Sequence, residues 1–82
     1  MISVILPTYN EKKNIYLVYT GLSKINIINE IIFVDDNSTD GTREEILYLK
    51  KRSKSIYYIF RPRKLGIGSA HKDGLKFAYK KK

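Results

Sequence analysis

The chain contains no cysteine among its 82 residues. Disulfide bridges and thiolate metal sites are therefore excluded, which fits a reducing compartment. Long apolar runs are missing too, since the most apolar stretch, residues 25–34, is interrupted by two asparagines and a glutamate. A membrane-spanning helix needs about 20 apolar residues. The apolar run 2–6 is short and follows no basic region, so we expect no signal peptide and a cytoplasmic protein, soluble or at the cytoplasmic face of a membrane.

Acidic residues are scarce, with 8 against 16 lysines and arginines, which gives a formal net charge of +8. Such a balance favours anionic partners: nucleic acid, an anionic membrane surface or phosphorylated substrates. The basic residues concentrate in the segments 50–52, 61–64 and 80–82. The first and last of these fall where helices are expected to end, and cations there complement the helix dipole. Solvated helix ends therefore explain both runs.

Strand-like and helix-like segments alternate along the chain. The expected strands are residues 3–6, 31–34 and 56–60, and the expected helices are residues 11–23, 42–51 and 68–80. Right-handed crossovers turn this pattern into a Rossmann-like βαβαβα unit, an α/β fold with three parallel strands in the order 3-2-1 and flanking helices. We expect residues 1–82 to form one incomplete domain, because strand 1 would lie at an open edge of the sheet.

The third helix carries small residues at four-residue spacing, Ala70, Gly74 and Ala78. Such a stripe predicts a helix that packs closely against the sheet.

Two carboxylates, Asp35 and Asp36, directly follow the second strand, at the sheet edge where α/β proteins bind ligands. Successive side chains of a strand point to opposite faces, so one acid would face a ligand crevice while the other binds loop amides. A carboxylate accepts hydrogen bonds from a base N–H or a ribose hydroxyl, and Asp36 is the candidate for this role. Ser38 or Asp40 would cap the next helix, with Gly41 forming the tight turn.

Residues 7–11 follow the first strand, which we expect Pro7 to terminate. Tyr9 offers an aromatic face on which a base could stack, and Glu11 could accept hydrogen bonds from ligand hydroxyls or amides. Asn10 is expected to cap the helix that follows. A strand stop and a helix cap explain Pro7 and Asn10 without any ligand, but they explain neither Tyr9 nor Glu11.

Residues 61–70 follow the third strand and combine basic side chains with Gly66 and Gly68 before a helix. Exposed amides, a helix N-terminus and cations such as Lys64 together suit a phosphate. The spacing matches neither a Walker loop nor the dinucleotide fingerprint. A basic loop whose glycines allow close helix packing explains the segment equally well, and both interpretations stay open at this point.

Taken together, the three motifs resemble family 2 glycosyltransferases of the GT-A fold, above all the dolichol-phosphate mannosyltransferases and related polyprenyl-phosphate sugar transferases. The likeness covers nearly the whole chain. It rests on residues 4–11 (VILPTYNE), 32–42 (IFVDDNSTDGT), 61–70 (RPRKLGIGSA) and 73–78 (DGLKFA).

The resemblance implies a hexosyltransferase that takes a nucleotide sugar such as GDP-mannose and transfers the sugar to a polyprenyl or dolichyl phosphate, with inversion at the anomeric carbon. Residues that match family positions around the nucleotide are Pro7, Tyr9 and Glu11 in the pocket wall, Val34 and Asp36 at the base and ribose, and Lys64, Gly66 and Gly68 in the closing loop. The resemblance identifies no catalytic residue in this chain.

The sequence departs from the family in one respect. The family binds a divalent metal, Mg²⁺ or Mn²⁺, through an Asp-x-Asp motif, and no Asp-x-Asp occurs in this sequence. The region that would contact a lipid-phosphate acceptor is missing as well. We therefore expect the N-terminal nucleotide-binding part of such an enzyme, which a complementary chain could complete and which could make peripheral membrane contact.

Two alternatives stay open. One is a nucleotide-binding module without catalysis, which the missing metal motif favours. The other is a basic module for nucleic acid or an anionic membrane, which would bind polyanions with a steep salt dependence. Nucleic acid is not the expected partner, because that alternative leaves the carboxylate loop unexplained.

Overall fold

The computed structural model describes the backbone of residues 2–81 and the side chains of residues 2–80. Its elements alternate strictly along the chain: β1 (Ile2–Thr8), α1 (Lys12–Ser23), β2 (Ile28–Asp36), α2 (Thr42–Arg52), β3 (Ile56–Arg61) and α3 (Ile67–Lys81). All strands are parallel, in the spatial order β1-β2-β3. The predicted α/β architecture with strand order 3-2-1 is thus confirmed. The basic segment 80–82 is predicted to lie at the end of a helix, and its last residue, Lys82, lies outside the described residues.

The middle strand β2 organises two separate cores, because its side chains alternate between the two faces of the sheet. Ile31 and Phe33 face α1 and α2, where they pack with residues such as Ile46. Ile32 and Val34 face α3 on the opposite side. The same alternation carries Asp35 to the α1 and α2 face and Asp36 to the α3 face, as the sequence predicts.

Helix α3 lies close against the sheet at its small residues. Ala70 and Ala78 are buried. A Cβ atom added at Gly74 would lie 2.5 Å from Cγ2 of Ile5, closer than real Cβ contacts allow. The small-residue stripe therefore sets the distance between α3 and β1, as predicted.

The predicted end of the first strand is wrong, because Pro7 does not end it, and β2 is longer at both ends than the predicted residues 31–34. β1 continues through Pro7, which lies opposite Val34, and ends at Thr8. Within residues 2–81, β1 pairs only with β2 and is an edge strand, where a residue without an amide hydrogen is tolerated. No helix within this range has the length and apolar character to cross a membrane.

Candidate functional site

The loops after β1 and β2 are bound to each other at the carboxyl edge of the sheet. Asn10 adopts a left-handed conformation (φ +51°). Its amide donates to Oγ of Ser38 at 2.8 Å, and its side-chain oxygen accepts from the amide of Thr39 at 2.8 Å. The predicted capping roles of Asn10 and Ser38 are therefore wrong, since both side chains join the two loops instead of binding a helix end.

Asp40 performs the capping role at both adjacent helices. Its Oδ1 accepts from the amide of Thr42, the first residue of α2, at 3.0 Å, and its Oδ2 accepts from the amide of Lys12, the first residue of α1, at 3.2 Å. A hydrogen bond from the Thr42 hydroxyl lowers the pKa of Asp40 below its usual value. Gly41 makes the predicted tight turn with φ +98°. Both carboxylate oxygens of Asp40 thus accept structural hydrogen bonds at the starts of α1 and α2.

Asp35 is fully buried beneath these loops. It accepts from Oγ1 of Thr8 at 2.7 Å, from the amide and hydroxyl of Ser38 at 2.9 and 2.6 Å, and from Nε of Arg43 at 2.8 Å. Burial raises the pKa of this carboxyl, but the bonds from Ser38, Arg43 and Thr8 outweigh burial, and the pKa lies below its usual value. Asp35 therefore links β1, the loop after β2 and α2, with no oxygen directed at solvent.

Asp36, on the other face, is 5% exposed and also accepts several hydrogen bonds. Oδ1 accepts from Nε of Arg61 at 2.5 Å, and Oδ2 accepts from the amides of Leu65 and Gly66 at 3.0 and 3.1 Å. Burial raises its pKa, but the bond from Arg61 and the two amides outweigh burial and hold the pKa below the usual value. Asp36 thus organises the loop between β3 and α3.

Arg61 completes this cluster from the end of β3, directly opposite Asp36 in the sheet register. Its Nη1 donates to Oγ of Ser69 at 2.8 Å and to Oδ2 of Asp73 at 3.0 Å, and its Nη2 donates to the carbonyl of Gly66 at 3.0 Å. The bond to Asp36 raises the pKa of Arg61. Since Arg61 is only 3% exposed, it is not a free cation for a phosphate, and the phosphate interpretation of this loop loses that residue.

A cavity of about 260 Å³ opens beside Asp36, between the end of β1 and the start of α3. Six of the eight predicted site residues line it together with Thr8 and Ile67: Pro7, Tyr9, Glu11, Asp36, Lys64 and Gly66. Three segments far apart in sequence thus meet at one cavity, where the resemblance places a nucleotide.

Two residues that line this cavity contact each other. Nζ of Lys64 lies 4.5 Å from the ring centroid of Tyr9, a residue that is 43% exposed. The ammonium group therefore covers one face of the Tyr9 ring. The cavity offers a ring, a cation and the exposed carboxylate of Glu11, which are groups that can contact a nucleoside and its phosphate.

The other two predicted residues do not line the cavity. Val34 has no exposed surface, because its side chain packs in the core beneath α3. Gly68 is exposed in the first turn of α3 but is absent from the cavity wall.

Sequence reasoning missed Thr8, which lines the cavity, and the pairing of Arg61 with Asp36 and Asp73. One signal for the pairing existed. The side chains of Tyr57, Ile59 and Arg61 lie on the same face of β3. Arg61 therefore ends β3 on the same side of the sheet on which Asp36 ends β2.

The cavity does not provide a binding site for a divalent metal. Asp36 already accepts from Arg61 and two amides, and Oε2 of Glu11 accepts from the side chain of Asn14 at 3.1 Å. Within the described part of the chain, no three carboxylates, histidines or cysteines cluster where they could hold a metal ion. No metal is therefore assigned to these residues.

Comparison with known proteins identifies the family of the chain. The model of the family named glycosyl transferase family 2 matches residues 3–81. Dolichol-phosphate mannosyltransferase of Saccharomyces cerevisiae is 40% identical over 73 residues, which cover 83% of this chain and 27% of that protein. The CsbB protein of Bacillus subtilis is 36% identical over 74 residues, covering 85% of this chain and 22% of CsbB.

A solved structure shows the same fold. The mannosyltransferase PcManGT of Pyrobaculum calidifontis, in complex with GDP-Man and Mn²⁺, superposes with a TM-score of 0.84 at 24% identity, over 92% of this chain and 23% of that chain. The present chain thus spans about a quarter of the length of the relatives it matches. With its family match over residues 3–81, the chain belongs to glycosyl transferase family 2.

Proposed function

We propose that the cavity beside Asp36 binds the base and ribose of a nucleotide-sugar donor, and that GDP-mannose is the donor to test first. The observation that carries this proposal is the meeting of Tyr9, Glu11, Asp36 and Lys64 around one cavity at the carboxyl edge of a parallel sheet. The choice of donor is supported by the relatives, one named a dolichol-phosphate mannosyltransferase and another solved with GDP-Man.

The size of the cavity fits this part of a donor. Its volume of about 260 Å³ is smaller than that of sites that enclose whole drug-sized ligands, since such sites have volumes of about 300 Å³ or more. It therefore suits a nucleoside, with the diphosphate and sugar extending along the sheet edge.

Each polar group has a role in this arrangement. A base stacks on the exposed ring of Tyr9, from which it displaces Lys64, and the freed ammonium group can then approach a phosphate. The exposed carboxylate of Glu11 accepts from a ribose hydroxyl or base amide. Asp36 holds the amides of Leu65 and Gly66 and so shapes the wall that faces the base.

For the whole protein, we propose transfer of the sugar from this donor to a polyprenyl or dolichyl phosphate with inversion. In this proposal, residues outside the present chain bind the divalent metal and contact the acceptor. A further segment or a complementary chain would supply those residues. Because the proposed acceptor is a lipid, the reaction would take place at a membrane surface.

The test is calorimetric titration of the chain with GDP, UDP and their sugar conjugates, with and without Mn²⁺. Tyr9→Ala removes the stacking ring and should weaken nucleotide binding about fivefold or more, since one base stacked on an aromatic ring contributes about 1–3 kcal/mol. The matched control is Tyr16→Ala, because Tyr16 is 52% exposed on α1 and does not line the cavity.

Saturable binding that Tyr9→Ala weakens and Tyr16→Ala leaves intact would support the proposal. A folded chain that binds no nucleotide would overturn it. Salt-dependent binding to any polyanion, equal in both variants, would instead favour the basic-module alternative.

A further inference from the structure

One buried guanidinium group connects the proposed nucleotide cavity to a carboxylate outside it. We propose that Arg61 is a positioning residue for the cavity wall and that Asp73 fixes the orientation of Arg61. This inference rests on the proposed function for its ligand, but the positioning itself is measurable without any nucleotide.

The contacts of Arg61 determine one orientation of its planar group. Nε donates to Asp36, Nη1 donates to Ser69 and Asp73, and Nη2 donates to the carbonyl of Gly66. A guanidinium group presents its donors in a rigid fork, so these bonds form together only when all the partners are in place. With 3% of its surface exposed, Arg61 acts through its partners and not on a ligand.

Two of these partners form the cavity wall. Asp36 and Gly66 both line the cavity, and Arg61 contacts each of them. The amides of Leu65 and Gly66 bind the second oxygen of Asp36, so a rotation of this carboxylate would also release the loop that carries Lys64. The orientation of Arg61 therefore controls the carboxylate and the loop together.

Asp73 lies outside the cavity, in the second turn of α3, with its side chain 40% exposed. Its Oδ2 lies 3.0 Å from Nη1 of Arg61, whereas Asp36 accepts from Nε of the same guanidinium group. Asp73 thus contacts the cavity wall through Arg61.

The test is Asp73→Asn, which keeps the shape of the side chain and removes its charge. Glu44→Gln is the matched control, because it changes the net charge equally at an exposed position on α2 away from the cavity. We expect Asp73→Asn to weaken binding of GDP, and of guanosine by the same factor, about three- to tenfold, the effect of one weakened hydrogen bond. Glu44→Gln should bind both like the parent chain.

Amide hydrogen exchange tests the same inference without a ligand. In Asp73→Asn the amides of Leu65 and Gly66 should exchange faster than in the parent chain, while the core amides of β2 should exchange at the same rate. A general loss of stability would not produce this pattern, because it would also speed the exchange of the core amides. If Asp73→Asn fails to fold, Ser69→Ala removes another contact of Nη1 and should act in the same direction.

Unchanged exchange at Leu65 and Gly66 in a folded Asp73→Asn chain would overturn the positioning role, whether or not nucleotide binds. A parent chain that binds neither GDP nor UDP would overturn the proposed function alone, and faster exchange at these amides would still support the role of Asp73.

Discussion

Replacing Asp36 by alanine should destabilise the chain severely, before any effect on a ligand is considered. The side chains of Arg61 and Asp36 are 3% and 8% exposed, and their ion pair measures 2.5 Å. Alanine removes one of the two carboxylates that face the guanidinium group and leaves Asp73, which is more exposed. Arg61 would then be a buried cation with insufficient compensation.

The expected magnitude is a large fraction of the total stability. Breaking a buried ion pair by removing one partner costs about 3–5 kcal/mol. A chain of 82 residues has a free energy of unfolding of about 4–12 kcal/mol, from about 0.05–0.15 kcal/mol per residue. We therefore expect Asp36→Ala to lose about a quarter or more of the free energy of unfolding, and to be largely unfolded without denaturant if the parent chain lies at the lower end of this range.

Urea unfolding followed by circular dichroism measures this effect. The double variant Asp36→Leu with Arg61→Met removes both charges and should recover about 2 kcal/mol or more, because apolar replacement of a buried pair is often neutral. Glu44→Ala, at an exposed acid in the first turn of α2, is the control and should cost less than about 1 kcal/mol.

A single variant Asp36→Ala that unfolds within about 0.5 kcal/mol of the parent chain, as a neutral surface substitution would, refutes this reasoning. So does a double variant no more stable than the single one.

Two further predictions concern packing and pH. Gly74→Ala should destabilise the parent chain, because its new Cβ would overlap Cγ2 of Ile5. In an Ile5→Ala background the same substitution should stabilise the chain by up to about 1 kcal/mol, because alanine has the higher helix propensity. Urea midpoints that rise in both backgrounds would contradict the close approach of α3 to β1. The lowered pKa values of Asp35 and Asp36 mean that the unfolded chain binds more protons than the folded one at acidic pH. The free energy of unfolding should therefore be constant near neutral pH and fall as the pH drops below about 4, because unfolded aspartates protonate in that range. A urea midpoint as high at pH about 3 as at neutral pH would contradict this prediction.

The fold was predictable because its signals are local. Apolar runs alternating with helical segments predict the parallel sheet, and the four-residue spacing of Ala70, Gly74 and Ala78 predicts the close helix. The alternation of side chains along a strand places Asp35 and Asp36 on opposite faces.

What the sequence did not reveal depends on which residues meet across strands and loops. The register that sets Asp36 opposite Arg61 follows from the pairing of β2 with β3, which no single segment encodes. Asn10 and Ser38 match the preference for helix caps, but contact between their loops satisfies them differently. Of the eight residues that line the cavity, Tyr9, Glu11 and Asp36 were candidates from their residue types and positions alone. Assigning Lys64 and Gly66 to a nucleotide site needed the resemblance to a known family, since residue types alone left a phosphate loop and a packing loop equally acceptable.

The most direct test of the central claim is a titration of the ¹⁵N-labelled chain with GDP, followed by amide chemical shifts. The proposed donor site predicts saturable shifts at Tyr9, Glu11, Asp36 and residues 64–67, the segments that line the cavity. Shifts confined to the basic ends of α2 and α3, or no shifts in a folded chain, would contradict it.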